Sequence, residues 1–283
     1  IFFTKIQKLN KLLQKYNILI NHNINDNYIN DVKKYQMMEF EHDYKYFYKN
    51  KESNPTKKCL QKISREISNF NDSLPLYYDT SVLLRYDEDN IQKIKILIIG
   101  PKNTPYENGC FIFDIFIPNN YPNSPPLINL QTTGNNKVRF NPNLYNSGKV
   151  CLSLLGTWPG NASEKWNHNT STLLQLFVSI QSLIFVENPY FNEPGYEKQI
   201  DTIKGKNENC KYNENIRINC LKYAMLDILE NIPPNFKQFI HMHFKTKKND
   251  LIKTITRWEL ESIKNNDVFN KYKELLVKKI NEI

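Results

Sequence analysis

Several features that mark particular classes of protein are missing from this sequence of 283 residues. Its longest apolar runs fall far short of the roughly 18 residues that a membrane-spanning helix needs, so no span is predicted. Its five cysteines have no paired short spacings, which argues against a disulfide framework or a zinc knuckle. This cysteine usage favours a reducing, intracellular setting, either cytoplasmic or nuclear. The sequence begins with Ile1 and no cleavable signal follows it, so we expect a fragment rather than a secreted precursor.

The net charge is positive, but the basic residues are dispersed among acidic ones. Lysine and arginine total 38 against 29 aspartate and glutamate residues, a formal charge of +9. No run of one sign exceeds three residues, so the clustered basic surface of a nucleic-acid-binding protein is not indicated. With 40% hydrophobic and 13% aromatic residues, the chain is able to enclose a core, and disorder of the whole chain is excluded.

Hydrophobic patterning predicts a meander of strands in the middle of the chain. A helix over residues 57–70, with apolar residues three and four positions apart, precedes four extended segments that turn signals separate. We place these strands at residues 81–86, 94–99, 110–117 and 127–130. A second helix is predicted over residues 172–186, with Ser171 or Thr170 as its cap. The loop at 132–165, between the last strand and this second helix, is long enough to suggest a function.

Both ends of the chain are predicted to be helical. Residues 1–55 combine apolar helical runs with an Asn-rich patch at 21–30 that is typical of a loop. The C-terminal part is expected to hold helices at 215–230, 234–244, 251–264 and 268–280. We therefore predict a helical N-terminal extension (1–55), a core (57–200) and a helical C-terminal extension (201–283).

The most informative segment is 139–152, which reads RFNPNLYNSGKVCL and places Asn143 eight positions before Cys151. It resembles the active-site segment of ubiquitin-conjugating (E2) enzymes, in which a His-Pro-Asn triplet precedes the cysteine at that spacing. Asn141 stands in place of the histidine, whose usual role in the family is structural. Glycine, proline and tyrosine residues within 100–109 and 121–126 resemble further blocks of the family in the same order.

The resemblance implies an α/β (α+β) fold, the ubiquitin-conjugating fold, with a four-stranded antiparallel meander flanked by helices. Within the family, the stretches 73–76, 150–158 and 187–197 look closest to the E2 region of the large hybrid E2/E3 proteins of the BRUCE (Apollon) kind. That subgroup implies ubiquitin transfer with little or no separate ligase. No Cys/His zinc module of the inhibitor-of-apoptosis type is present in the sequence, so an apoptotic role is not carried over.

A cysteine thiol suits acyl transfer because a thiolate is both a good nucleophile and a good leaving group. Exchange of an acyl group between two thiols needs no histidine base, and the five histidines all lie outside the cysteine segment. A cysteine protease, which uses histidine to activate its thiol, is therefore disfavoured. His241 and His243 lie on different faces of a predicted helix, so we do not expect them to form a metal pair.

By resemblance, Cys151 carries the acyl group, and Asn143 supports the oxyanion either directly or by holding the loop. A lysine acceptor with a pKa of about 10.4 is almost fully protonated at pH 7, a penalty of roughly 4.6 kcal/mol that the site must offset. Glu193, at the position of the family's acidic gate, is predicted to orient that amine. The predicted supports of the active-site loop are Asn141, Pro142 and Tyr145.

The resemblance also implies three partners, namely ubiquitin, an E1 activating enzyme and a protein substrate. Lys62 and Arg65, on the polar face of the first core helix, are predicted to meet the acidic ubiquitin-fold domain of E1, where opposite charge raises the encounter rate. Asn123 replaces an aromatic residue through which many E2s dock RING or HECT ligases, so ordinary ligase docking is not favoured. Because E1 consumes the ATP, we expect neither a cofactor nor a metal in this chain.

Two alternatives remain open at this point. The chain could be a catalytically silent E2-like binding module, although intact Cys151 and Asn143 argue against that. It could also be an E2 for a ubiquitin-like modifier, which the sequence does not exclude.

Overall fold

A mixed sheet of five strands forms the centre of the structure, a computed structural model that describes residues 25–40, 45–262 and 267–283. The strands, in their order across the sheet, are β1 Met37–Glu39, β2 Val82–Tyr86, β3 Lys93–Ile99, β4 Cys110–Phe116 and β5 Leu127–Leu130. Strands β2 to β5 pair antiparallel with their neighbours, which confirms the predicted meander. Strand β1 pairs with β2 in the parallel direction.

Strand β1 adds a fifth strand to the predicted four-stranded meander, and it lies in the segment 1–55 that was predicted as a helical extension. It is only three residues long, so it carries no alternating pattern of its own. Its pairing comes from tertiary contact with β2. The Leu84 N–H donates to the Gln36 carbonyl and the Phe40 N–H donates to the Tyr86 carbonyl, both at 2.7 Å.

Helices flank the sheet. They are α1 (residues 25–35), α2 Lys57–Ser73, α3 Leu173–Ser179, α4 Ile203–Asn219, α5 Asp227–Glu230, α6 Lys237–Thr246, α7 Lys248–Leu260 and α8 Asp267–Asn281. Helices α3 and α4 each continue into a π-helical segment, Ile180–Ile184 and Cys220–Leu226 respectively. The helices predicted at 57–70 and 172–186 and the last three predicted at the C-terminus are therefore confirmed.

Helix α1 overturns the predicted loop for residues 25–30 of the Asn-rich patch 21–30, because these residues are helical; residues 21–24 lie outside the described residues. Tyr28 and Val32 explain the difference, since only 1% and 0% of their surfaces are exposed and both belong to the hydrophobic core. Their packing overrides the modest helix propensity of asparagine. The apolar helical run predicted nearer the N-terminus lies outside the described residues.

Helices α2 and α3 begin at threonine caps. The Thr56 hydroxyl accepts a hydrogen bond at 3.1 Å from the backbone N–H three residues later. Thr172 does the same at the start of α3, also at 3.1 Å. Thr172 is therefore the cap of α3, in place of the predicted Ser171 or Thr170.

Helix α4 begins at Ile203, twelve residues before the predicted start at 215. Its buried face carries asparagines rather than apolar side chains, so no hydrophobic periodicity marks its first half. The amide of Asn209 donates to the side chain of Asn188 at 2.7 Å, and that of Asn213 donates to the Glu187 carbonyl at 2.9 Å. Hydrogen bonds thus take the place of apolar packing on this face.

One hydrophobic cluster joins the sheet to helices from both ends of the chain. Tyr28 of α1, Trp258 of α7 and Leu276 of α8 belong to it together with the strands. The predicted extensions therefore pack with the predicted core 57–200, and their boundaries stay predictions. Within the described ranges, no helix is both long enough and apolar enough to cross a bilayer.

Candidate active site

Cys151 and Asn143 lie side by side in the loop that follows β5. The Cys151 N–H donates to the Asn143 carbonyl at 2.9 Å. The side-chain amide of Asn143 donates to the Cys151 carbonyl at 2.8 Å. The spacing of eight residues thus closes the loop into a reciprocal pair. In this arrangement the Asn143 amide holds the loop, rather than pointing at an oxyanion above the thiol.

Asn141 anchors this pair to the end of the π-helical segment that follows α3. Its side-chain oxygen accepts from the Asn143 N–H at 2.8 Å, and its amide donates to the Ile184 carbonyl at 2.8 Å. The amide of Asn192 approaches the same Asn141 oxygen at 3.3 Å. Asn141 is fully buried, and its bonds to Asn143 and Ile184 are shielded from water. A neutral amide therefore supplies the bridging contacts at the position where the family's triplet has histidine.

The thiol of Cys151 is covered but does not belong to the core. Only 2% of the residue is exposed, yet it lies outside the hydrophobic cluster that contains Cys59, Cys110 and Cys220. Burial raises the pKa of the Cys151 thiol, while the positive charges of Lys149 and Arg139 oppose that rise. The thiol is therefore mostly protonated at neutral pH.

The other cysteines differ from Cys151 in their surroundings. All five are free thiols. Burial raises the pKa of Cys59 to about 11 and raises those of Cys110 and Cys220 further. Cys210 is exposed on α4. Among the four buried cysteines, Cys151 is thus the one next to cations and outside the core.

Arg139 joins three of the predicted site residues, although sequence reasoning assigned it no role. It donates to the Pro142 carbonyl at 2.7 Å and forms an ion pair with Glu193 at 3.2 Å. Its guanidinium also lies over the Tyr145 ring, 4.5 Å from the centroid. The signal available in the sequence was its position at the start of the 139–152 segment, but no spacing rule points to it.

Glu193 therefore lies near the active-site loop as the partner of a cation. Its side chain is 37% exposed and that of Arg139 is 41% exposed, so the pair is accessible to water. A second cation, such as a lysine amine, is able to approach the carboxylate. The predicted role of Glu193 toward an acceptor stays a prediction.

A groove of about 590 Å³ runs beside the Cys151 loop. One wall is the loop after Cys151, and the facing wall is α3 with its π-helical continuation. The lining residues are Asn143, Leu152, Ser153, Leu154, Trp158, Ser163, Glu164, Gln175, Ser179, Leu183 and Asn192. The groove is partly open to solvent, and its walls are both apolar and polar.

Lys62 and Arg65 lie on the polar side of α2, far along the sequence from the loop that holds Cys151. Arg65 is exposed, whereas Lys62 is half-buried and pairs with Glu66 at 3.2 Å. Their proposed contact with a partner stays a prediction.

Among the described residues, no three His, Cys, Asp or Glu side chains are grouped as a metal site would require. His243 is enclosed between Tyr28 and the Asn108 carbonyl, while His241 is exposed.

Comparison with known proteins identifies the family to which the chain is similar. The model of the ubiquitin-conjugating enzyme family matches residues 62–219 of the chain. A mouse protein, the dual E2 ubiquitin-conjugating enzyme/E3 ubiquitin-protein ligase BIRC6, is 48% identical over 77% of the chain. The probable ubiquitin-conjugating enzyme E2 R521 of Acanthamoeba polyphaga mimivirus is 40% identical over 93% of the chain.

A third relative, probable ubiquitin-conjugating enzyme protein 17 of Caenorhabditis elegans, is 47% identical over 70% of the chain. The chain spans 4% of the mouse protein, 19% of the viral protein and 27% of the nematode protein. The similarity thus concerns a limited part of each relative, and the family match over residues 62–219 of this chain covers the loop with Asn143 and Cys151.

Proposed function

Because the chain belongs to the ubiquitin-conjugating enzyme family, we propose that Cys151 accepts ubiquitin from an E1 activating enzyme as a thioester and passes it to lysine amines. The reciprocal hydrogen bonding of Cys151 and Asn143 beside an open groove carries this proposal. The names of the mouse and viral relatives support the same activity. The mouse relative is named as both an E2 and an E3, which also supports transfer with little or no separate ligase.

The first step exchanges one thioester for another. The Cys151 thiolate attacks the carbonyl carbon of the E1 thioester, a new C–S bond forms, and the E1 thiolate leaves. The proton that Cys151 loses balances the proton that the E1 thiol takes up, so the step is close to neutral in free energy. ATP is consumed by E1, so we propose that this chain uses no cofactor and no metal.

The second step transfers the acyl group to nitrogen. A neutral lysine amine attacks the thioester carbonyl, the C–N bond forms, the C–S bond breaks and Cys151 recovers its proton. We propose that Glu193 orients the amine, since its exposed carboxylate is already positioned by Arg139. Glu193→Gln should charge normally but discharge ubiquitin to free lysine several-fold more slowly. Glu197→Gln, an exposed glutamate in the following turn, is the matched control, and equal discharge by both variants would contradict the role.

A charging assay tests the proposed function directly. Purified chain, E1, ubiquitin and ATP should give an adduct that reductant removes, and Cys151→Ala should abolish it. Cys210→Ala, at an exposed cysteine on α4, should charge like the wild type. Absence of any adduct would favour a catalytically silent binding module. Charging by a ubiquitin-like modifier but not by ubiquitin would favour the other alternative.

Recognition of E1 is proposed to involve α2. Arg65 is exposed there, and Lys62 keeps part of its surface exposed despite its contact with Glu66. Combining Lys62→Glu with Arg65→Glu should slow charging by lowering the encounter rate with an acidic surface. Normal charging kinetics at physiological salt would contradict this role. The ordinary RING or HECT contact is not part of the proposal, because Asn123 offers little apolar surface.

A further inference from the structure

Thr157, six residues after the nucleophile, folds back onto the backbone around Cys151. Its hydroxyl accepts from the Leu152 N–H at 3.0 Å and donates to the Val150 carbonyl at 2.9 Å. Its own N–H also donates to the Leu152 carbonyl at 3.3 Å. One side chain therefore contacts the residues on both sides of Cys151.

These contacts complete the hydrogen bonding of the two peptide units that flank the nucleophile. Asn143 bonds the N–H and the carbonyl of Cys151 itself, as described above. Thr157 bonds the Val150 carbonyl on one side and the Leu152 N–H on the other. All four polar backbone groups that set the orientation of Cys151 are thus held by two residues.

The contact made by Thr157 depends on its hydroxyl rather than on apolar packing. The residue as a whole is exposed, so its methyl group buries little surface. The hydroxyl, by contrast, is satisfied as both donor and acceptor inside the loop. Gly156 makes the return of the chain possible, because its φ of +68° lies in the left-handed region that favours glycine.

Thr157 also connects Cys151 to the wall of the groove. Trp158 follows Thr157 directly and lines the groove, as do Ser163 and Glu164 further along the loop. Ser153, two residues after Cys151, also lines the groove and donates to the Pro159 carbonyl at 3.1 Å. A shift of this loop would therefore be transmitted to the backbone of Cys151 through Thr157.

We propose that Thr157 is a positioning residue for thioester chemistry, whose hydroxyl fixes the direction of the Cys151 thiol and couples it to the groove wall. This inference rests on the proposed function of Cys151. Misplacement of a reacting group by about 1 Å can cost about a hundredfold in rate, so loss of a bridging contact has a measurable effect. Thr157 touches no reacting atom in this arrangement, and it acts through the backbone.

Two substitutions separate the hydroxyl from the methyl group. Thr157→Val keeps the shape and removes the hydroxyl, whereas Thr157→Ser keeps the hydroxyl and removes the methyl group. Thr157→Val should lower kcat for charging and for discharge to lysine by about tenfold, because both hydrogen bonds of the hydroxyl are lost, with KM for charged E1 unchanged. Thr157→Ser should stay within about twofold of the wild type. Equal activity of Thr157→Val and wild type, or an equal loss in Thr157→Ser, would overturn the proposal.

A second measurement does not depend on E1. The alkylation rate of Cys151 by iodoacetamide, read by peptide mass spectrometry with exposed Cys210 as the internal reference, should change in Thr157→Val but not in Thr157→Ser. Unchanged alkylation in Thr157→Val would contradict the positioning role even if that variant charged poorly. If the wild type fails to charge while the alkylation difference is present, the proposed function fails and the positioning of the thiol stands.

Discussion

At the scale of single residues, the reactivity of Cys151 is set by a balance between burial and charge. Burial favours the neutral thiol, so it raises the pKa above the ordinary cysteine value. Lys149 and Arg139 favour the thiolate and limit that rise. No histidine lies in the 139–152 segment, so the charges that oppose the rise in this pKa come from Lys149 and Arg139 alone within that segment.

Lys149→Met should therefore slow the reaction of Cys151 with iodoacetamide. Removing the cation raises the thiol pKa further and lowers the thiolate fraction near pH 7.5, and we expect about a twofold loss of rate because Lys149 is exposed and screened by salt. The pH profile of the alkylation rate should move to higher pH. The difference in rate between Lys149→Met and the wild type should shrink at high ionic strength. Lys206→Met, at an exposed lysine on α4, is the control. A profile unchanged by Lys149→Met would contradict this explanation.

The sequence predicts some residues of the site and misses others for a physical reason. Cys151 and Asn143 have a fixed separation along the chain, and the loop that joins them converts this separation into direct hydrogen bonds. Arg139 and Thr157 act through contacts that exist only after the chain has turned back on itself. Neither contact requires a particular spacing, so pattern alone does not identify these two residues.

At the scale of secondary-structure elements, Glu66 links α2, α3 and the loop after β4. Its carboxylate accepts from the Tyr121 hydroxyl and from the Leu173 N–H, both at 2.7 Å. Lys62 approaches the same carboxylate at 3.2 Å. Glu66 is only 7% exposed, so these donors have little access to water as an alternative partner.

Glu66→Ala should destabilise the fold by about 3 kcal/mol, because it leaves buried donors without an acceptor. Glu66→Gln retains an oxygen for the Leu173 N–H and an amide that can donate to Tyr121, so its cost should be nearer to 1 kcal/mol. Urea unfolding measures both. Asp72→Ala, at an exposed carboxylate on the same helix, serves as the control. Surface substitutions usually have small effects, so it should lower the free energy of unfolding by less than about 0.5 kcal/mol. Equal stability of Glu66→Ala and Asp72→Ala would contradict the linking role.

The sequence predicts a helix or strand where apolar residues recur at the spacing of that element. Strands β2 to β5 and helix α2 have such spacing, and their bounds agree with the predicted ones to within a few residues. Strand β1 and the first half of α4 do not, because one is three residues long and the other buries asparagines. In both cases long-range hydrogen bonds define the element, and such bonds leave no local pattern.

At the scale of the whole molecule, a buried polar cluster fastens the C-terminal helices to the core. The Tyr28 hydroxyl lies 2.7 Å from Nδ1 of His243, and Nε2 of His243 lies 3.2 Å from the Asn108 carbonyl. Because a carbonyl only accepts, Nε2 carries the proton and the Tyr28 hydroxyl donates to Nδ1. Burial lowers the pKa of His243 to about 3, and the nearby charge of Lys247 lowers it as well.

The free energy of unfolding should therefore fall on acidification below about pH 6.5, the ordinary pKa of histidine. Between that value and about 3 the unfolded chain binds a proton at His243 that the folded chain does not, so stability decreases as pH falls. The slope from this one group approaches about 1.4 kcal/mol per pH unit. Urea unfolding from pH 7.5 to 4.5 measures it.

His243→Gln should flatten this pH dependence, although its stability at pH 7.5 should be lower because the paired hydrogen bonds are disturbed. His241→Gln is the matched control, since His241 is exposed on the same helix. A loss of slope in His241→Gln as large as that in His243→Gln would show that burial of His243 is not the cause.

The whole-molecule arrangement also explains the limits of the predicted segmentation. Composition separates residues 1–55 and 201–283 from the middle of the chain, but the hydrophobic cluster includes residues of all three segments. The contacts between segments involve apolar residues of ordinary helical spacing, such as Trp258 and Leu276, whose partners the sequence does not specify.

Locating the acyl group on the charged protein tests the central claim most directly. The protein is incubated with E1, ubiquitin and ATP, digested without reductant and read by tandem mass spectrometry. We predict that the C-terminal remnant of ubiquitin is found on the peptide that contains Cys151 and that hydroxylamine releases it. A remnant on Cys210 or on a lysine, with Cys151 unmodified, would contradict the account.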